Sequence, residues 1–543
     1  MGMVWFFVLS VAGWAVLFSI VRLAGFKDWK FIFPVMSAYG IRLLLAAGFF
    51  FISFFNLPFV RSQHAMPGFW KFAPDTELTH VAAQGFSKEG KYSNVFQNAV
   101  ETCNQEHIVW ILLVSGVYKI FGAYPLNFIV LNVWLSALQV FLAIWLMREW
   151  VGEKKSLIAG WLVALWPSAI IWSTQILKDT ICLTLLLGVF ALFIRISATE
   201  IRGKNGFSGK TAVFFLLLFC YFVLIKIRFY TGLFILIALI FGQGYVCIKR
   251  FFGRGRLYLW PIVAAVVFSL IAAFAGRITV PAQLIFLGQK SGPVSLASPC
   301  PSTTAVVSSR EPGSSLQTPS VSPKVPSVSS KVLSVSPKVP SVSSRASSTS
   351  SRTASVFCRS VRSSFKEVII NKKGIVAVKN KINEGRIRLG FIIQKYYLKI
   401  FQVRAGFSRE GGNLALDVSG PFNNIFIFIL YSFLTVWFAP FPWQWFTCGG
   451  QSGVFIILGG IEMCIVYFLF VFLLCGLWRF MTTAKAGSII FIITYIFVSS
   501  FFLGMVVSNA GTLFRLRLQF LIPMLIIGSL GLYPREREKE REP

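Results

Sequence analysis

The sequence predicts an all-α polytopic membrane protein, with about 11 to 13 transmembrane helices, a large first external loop and a disordered Ser/Pro-rich insertion. Three observations carry this. Hydrophobic residues make up 56% of the 543 and charged residues only 13%, more apolar surface than a soluble fold hides. Windows such as Val4 to Val21, Leu126 to Met147, Gly453 to Gly476 and Ser488 to Val507 are almost purely apolar. At about 1.5 Å per residue each crosses a hydrocarbon core of roughly 30 Å. None alternates polar and apolar residues, which excludes an outer-membrane barrel.

In chain order, spans are expected near 3–21, 31–58, 125–147, 156–174, 180–197, 211–226, 230–248, 257–276, 424–440, 453–476, 487–507 and 516–533. The first has no basic region before it and no small-residue cleavage motif, so it reads as a retained span. Arg22, Lys27 and Lys30 follow it, placing its far end in the cytoplasm by the positive-inside rule. The run 108–124 is apolar but marginal. Read as a juxtamembrane helix, it makes the basic loops 148–155, 202–210 and 249–256 cytoplasmic. Counting forward then puts 277–423 outside, whereas counting back from a cytoplasmic tail (PREREKEREP) puts it inside. The chain divides into 1–60 (first two spans), 61–124 (external loop with juxtamembrane helices), 125–288 (central bundle), 289–356 (Ser/Pro insertion), 357–423 (basic segment), 424–533 (C-terminal bundle) and 534–543 (charged tail).

Within the insertion, Ser320 to Leu333 (SVSPKVPSVSSKVL) recurs as Ser334 to Ser347 (SVSPKVPSVSSRAS). Frequent Pro and little apolar content cannot offset the chain entropy of folding, so disorder is expected. The following LGFIIQKYYLKIF (Leu389 to Phe401) suits an interfacial amphipathic helix. Residues 277–423 hold 21 Lys and Arg against 5 acids, half of the net charge of +32. Much of the rest caps helix ends, where anionic lipid attracts it, and nucleic acid is not an expected partner. Nine cysteines without a CxxC pair predict neither a disulfide framework nor a zinc site. No Walker loop, GxGxxG, HExxH or GxSxG occurs, which disfavours ATP hydrolysis, nicotinamide chemistry and triad hydrolysis.

Titratable chemistry concentrates in 61–107. The chain has four aspartates, Asp28, Asp75, Asp179 and Asp417, and three histidines, His64, His80 and His107; all three histidines lie in this loop. A helix starting at Asp75 lets that residue cap it, with Glu77 and His80 sharing a face. Either carboxylate can act as a general base or ligate a divalent cation. A plain N-cap explains the same residues. A second feature, WSTQILKD, ends in Lys178 and Asp179, either an interfacial ion pair or a phosphate-holding cation beside a second carboxylate. Lys226 and Arg228 either snorkel or hold a lipid phosphate. Glu462, costly against lipid, is expected to face the bundle interior.

These residues resemble the GT-C membrane glycosyltransferases, nearest the bacterial relatives of dolichyl-phosphate-mannose protein mannosyltransferases and lipid A aminoarabinose transferases. The likeness lies in PDTELTHVAAQGF, the juxtamembrane helix after it, WPSAIIWSTQILKD, the Lys/Arg pair, FAPFPWQW (Phe438 to Trp445), Glu462 and SNAGTLFRLRLQFLIPML (Ser508 to Leu525). The family pattern has adjacent Asp and Glu, often followed by Tyr; here Thr76 separates the acids and His80 lies near the Tyr position. The resemblance implies a GT-C-like bundle in the cell (inner) membrane. It implies sugar transfer from a polyprenyl-phosphate donor to an extracytoplasmic glycolipid, polysaccharide or protein. Asp75, Glu77 and Asp179 would be catalytic, with inversion at the sugar. His80, Lys178, Lys226, Arg228, Arg515 and Arg517 would bind substrate, and a divalent metal, held by Asp75 and Glu77, would be a candidate cofactor. The alternatives are an O-antigen polymerase or ligase, which relies on arginines and a histidine, and a lipid or polysaccharide transporter.

Overall fold

The computed structural model describes residues 2–57, 66–70, 73–89, 105–202, 207–252, 400, 425–445, 453–480, 486–507 and 510–532. All of them belong to one compact unit, Met1–Leu287 with Ile393–Pro543; the other unit, Gly288–Ile392, holds no described residue. The expected span at 257–276, the insertion, the basic amphipathic segment apart from Ile400, and the charged tail lie outside the described residues.

The elements are α1 (Gly2–Leu23), α2 (Trp29–Phe54), α3 (Pro74–Glu89), α4 (Gln105–Phe121), α5 (Pro125–Val151), α6 (Glu153–Ala164), α7 (Pro167–Ser173), α8 (Lys178–Arg202), α9 (Phe207–Ile227), α10 (Phe229–Phe252), α11 (Ile425–Phe438), α12 (Gly453–Phe480), α13 (Ala486–Val506), α14 (Ala510–Leu516) and α15 (Leu518–Gly531). The chain is an all-α, multi-pass membrane protein: among the described residues six helices are long and apolar enough to cross a bilayer, or seven if α6 and α7 form one broken span. Two of the spans expected from hydropathy, 156–174 and 516–533, are not continuous helices. The run 156–174 bends by 58° between α6 and α7, where Pro167 can open a new helix but not continue the old one. The run 516–533 starts inside α14 and breaks at Arg517.

Helices α5 and α8 form the centre, with 72% and 83% of their apolar windows buried, whereas α1, at 17%, turns its surface to lipid. Packing α5 against α1, α2, α6 and α8 brings Arg42 of α2 into the interior. There it donates to the carbonyls of Ser136 (3.2 Å) and Val163 (2.8 Å), satisfying a charge that lipid would not tolerate.

Contacts give each helix a direction. Tyr124 meets Gly2, Met3 and Phe50, and Phe121 meets Trp5. Trp70 and Phe69 bond back to Phe49 and Ser53. The described chain between α2 and α5, α4 included, is thus anchored at one end of the bundle. Asn132 of α5 donates to the carbonyls of Gln175 and Leu177, so α8 starts at the same end. Gly459 abuts Phe514 and Gly476 abuts Gly531, so α12 and α15 run in parallel away from it. The opposite end gathers Arg22, Lys27, Lys30, Arg148, Lys154 and Lys155.

Where α12 and α15 touch, Gly531 lies against the backbone of Phe472 with no room for a Cβ, and a Cβ on Gly528 would meet the Leu469 carbonyl oxygen at 3.3 Å. Close backbone approach through small residues is how apolar helices associate without a hydrophobic gain. Gly531→Val is therefore expected to cost about 1–3 kcal/mol by overpacking, read as a lower melting temperature in detergent. Gly116→Ala, in α4 with open space around it, is expected to leave the melting temperature unchanged or raised.

Candidate functional site

Helix α3 opens on Pro74, which suits a first turn, and the Ala73 carbonyl accepts from the Thr76 amide (3.0 Å) and hydroxyl (2.6 Å). Asp75 is therefore inside the first turn rather than the cap expected from sequence, and its carboxylate is released for a distant partner. Glu77, two residues on, is turned by about 200° and has no hydrogen bond or ion pair among the described residues. The two acids do not act as a pair. His80 points into the contact between α3 and α4. Its Nδ1 lies 2.8 Å from the Tyr118 hydroxyl and its ring packs on Phe69. Burial pushes its pKa down to about 4, so at neutral pH the ring is uncharged and packed between α3 and α4.

The second acid is held by the α7–α8 turn. Besides the Asn132 clamp, Gln139 donates to the Thr180 carbonyl (3.0 Å) and Thr184 hydroxyl (3.1 Å), so the start of α8 is fixed to α5. Asp179, second in α8, faces Arg228 from the break between α9 and α10, with Oδ1 accepting from Nη2 at 2.6 Å. Its Oδ2 faces Arg515 Nε at 3.2 Å without hydrogen-bond alignment. Arg515 also donates from Nη1 to Asp75 Oδ2 at 2.6 Å. One guanidinium thus joins the two sequence-predicted carboxylates. Burial of Arg515 works against its charge, but Asp179 and Asp75 outweigh it and hold its pKa above the ordinary arginine value. Asp179 is 5% exposed and Asp75 47%, so the chain Arg228–Asp179–Arg515–Asp75 runs from the interior to the surface.

A second buried centre lies two residues further along. Glu462 accepts at Oε1 from Trp166 Nε1 and Ser168 Oγ, both at 2.9 Å, and pairs with Arg517 at 3.3 Å. Arg517 also donates to the Ala439 carbonyl at 2.8 Å and lies 4.2 Å from the centre of the Phe514 ring. Glu462 faces the interior as expected. Arg517, expected beside a lipid phosphate, is instead engaged by Glu462. This centre ties the WPS turn, the FAPFPWQW segment, α12 and the α14–α15 break together.

Lys178 lies within the electrostatic reach of Asp179 and of His107. Lys226 sits 5.8 Å from the Phe222 ring centre, one turn back on its own helix. His107, which sequence reasoning counted but did not assign, belongs to the cluster: burial, Lys178 and Arg515 lower its pKa while Asp75 opposes them. Its concentration with the other histidines in one loop was the available signal. The metal expectation does not fit, because Asp75 carries Arg515, Glu77 turns away, and among the described residues no group of three or more His, Cys, Asp or Glu converges. No family model matches the chain, and no curated protein matches it.

Two outcomes follow. Because the folded His80 pKa lies below the ordinary 6.5, the unfolded chain binds more protons between about pH 4 and 6.5. Stability contributed by the neutral ring is full above that window and lost as pH falls through it, on the order of 3 kcal/mol in all. Melting in detergent is expected to steepen with acid in wild type and flatten in His80→Gln. Arg517→Met strands a buried carboxylate and is expected to cost about 3–5 kcal/mol. Glu462→Gln, which keeps an acceptor for Trp166 and Ser168, is expected to cost less in the same melt.

Proposed function

We propose that the protein is a membrane glycosyltransferase that moves a sugar from a polyprenyl-phosphate donor to an acceptor outside the cytoplasm. The observation that carries this is the joining of Asp75 and Asp179 by Arg515. The two acids that the GT-C resemblance marks as functional, 104 positions apart in sequence, meet through one guanidinium. The resemblance motifs of the C-terminal half supply that guanidinium and its supports. The site end lies opposite the basic end, which by the positive-inside rule faces the cytoplasm, so the chemistry faces away from it. In a bacterium that membrane is the inner one.

The electrostatics suit an anionic lipid headgroup. Two carboxylates stand against Arg228, Arg515 and Lys178, leaving one positive charge in excess within an apolar bundle. A donor's isoprenoid tail would lie among the helices, and its phosphate beside these cations. They would stabilise the lipid phosphate as it departs. The acceptor would approach from the half-exposed Asp75 side, where its proton also leaves, and direct attack opposite the departing phosphate would invert the anomeric carbon.

The test is transfer in liposomes from polyprenyl-phosphate sugars to a panel of hydroxyl and amine acceptors. Wild type is expected to transfer, and Asp179→Asn and Arg515→Gln to lose about 100-fold or more in rate. Full activity in both variants would sink the reading. A protein that moves the lipid between leaflets without cleaving the sugar would place it among transporters.

A further inference from the structure

We propose that His107 is the general base of this transfer, taking the acceptor's proton at Nε2. The proposal rests on the glycosyltransferase reading above and names the group that reading leaves open. His107 lies in the first turn of α4, partly buried. Its Nε2 is shielded from solvent and finds no hydrogen-bond partner among the described residues. Two of the three expected acids are paired with cations, and Glu77 is turned away from Asp75 on its helix. Asp179 is held by Arg228 and Arg515, and Asp75 by Arg515 at 2.6 Å. A carboxylate in contact with a guanidinium is a poor proton acceptor, because protonation gives up the ion pair.

The surroundings keep the imidazole in its basic form. Burial first, then Lys178 and Arg515, disfavour the protonated ring, while Asp75 favours it. Among the described residues, α3, α9 and α5 pack most closely on α4. Helix α3 brings Asp75, with His80 turned to Tyr118. Helix α9 ends in Lys226, over Phe222, and α5 offers Asn127, whose amide is bonded to the Phe121 carbonyl. At neutral pH the ring is therefore uncharged, and in the tautomer with hydrogen on Nδ1 it presents a lone pair at Nε2. The step balances: the acceptor's O–H or N–H proton passes to Nε2 as its heteroatom bonds to the anomeric carbon. The bond from that carbon to the donor phosphate breaks, and its electron pair stays on the polyprenyl phosphate beside the cations. The imidazolium then returns its proton to solvent.

The experiment is the pH–rate profile of transfer by the full chain in nanodiscs with a polyprenyl-phosphate sugar, for wild type, His107→Gln and Asp75→Asn. Wild type is expected to lose rate as pH falls below about 6.5. His107→Gln is expected to lose about 100-fold or more, to lack the acidic limb, and to regain part of its rate with free imidazole. Asp75→Asn is expected to be slower but to keep the limb, moved to lower pH because an acid that favours imidazolium is gone. An active wild type whose His107→Gln variant keeps both rate and limb overturns the role of His107 alone. A wild type that transfers nothing overturns the glycosyltransferase reading together with it. Should His107→Gln not fold, histidine-labelled NMR of the other proteins decides, since the chain has only three histidines. The His107 midpoint is expected to fall in Asp75→Asn and rise in Lys178→Gln; a midpoint that neither moves removes His107 from the cluster and overturns the proposal.

Discussion

Arg515 holds the site together by touching two carboxylates that the chain delivers from opposite sides. Asp75 comes from a short helix at the end of the bundle and Asp179 from the start of one of its most buried helices. A guanidinium can do this because its fork of donors spans two partners at once and keeps its charge when buried. The geometry depends on three breaks in otherwise apolar runs, at α7–α8, α9–α10 and α14–α15. Each break presents a charged residue to the interior at the same end. A continuous helix through any of them would carry its charged residue away from the others.

Buried charge explains why the breaks are braced so heavily. Moving an ion out of water costs several kcal/mol unless geometry and hydrogen bonds compensate. Among the described residues, the buried ions are met by carbonyls or by an opposite charge. Arg42 takes two carbonyls, and Glu462 takes Trp166, Ser168 and Arg517. Because Arg515 and Arg517 sit two residues apart on the same break, fixing Arg517 to Glu462 also limits where Arg515 can point. Stability and site geometry are thereby set by the same residues, so a substitution at Glu462 reaches the site without touching a substrate.

Much of this was legible in the sequence. Apolar windows marked the long helices, and the scarcity of aspartate made Asp75 and Asp179 conspicuous. Glu462 announced an interior partner because a lone acid in a span needs one. Other features were hidden for physical reasons. Hydropathy averages across a break, so the bend between α6 and α7 and the interruption at Arg517 read as continuous spans. Adjacency in sequence suggested that Glu77 works with Asp75, but helical rotation separates them. Arg517 and Arg515 looked interchangeable, yet their two-residue spacing sends them to different carboxylates. That His107 Nε2 has no hydrogen-bond partner among the described residues has no signature in the sequence.

The central claim is that Asp75 and Arg515, 440 residues apart, share one site. A double-mutant cycle measures this directly, comparing thermal stability in detergent for wild type, Asp75→Asn, Arg515→Gln and the double variant. The ion pair predicts a coupling of about 0.5–3 kcal/mol between the two positions. Strictly additive effects would contradict the structure on which the rest depends.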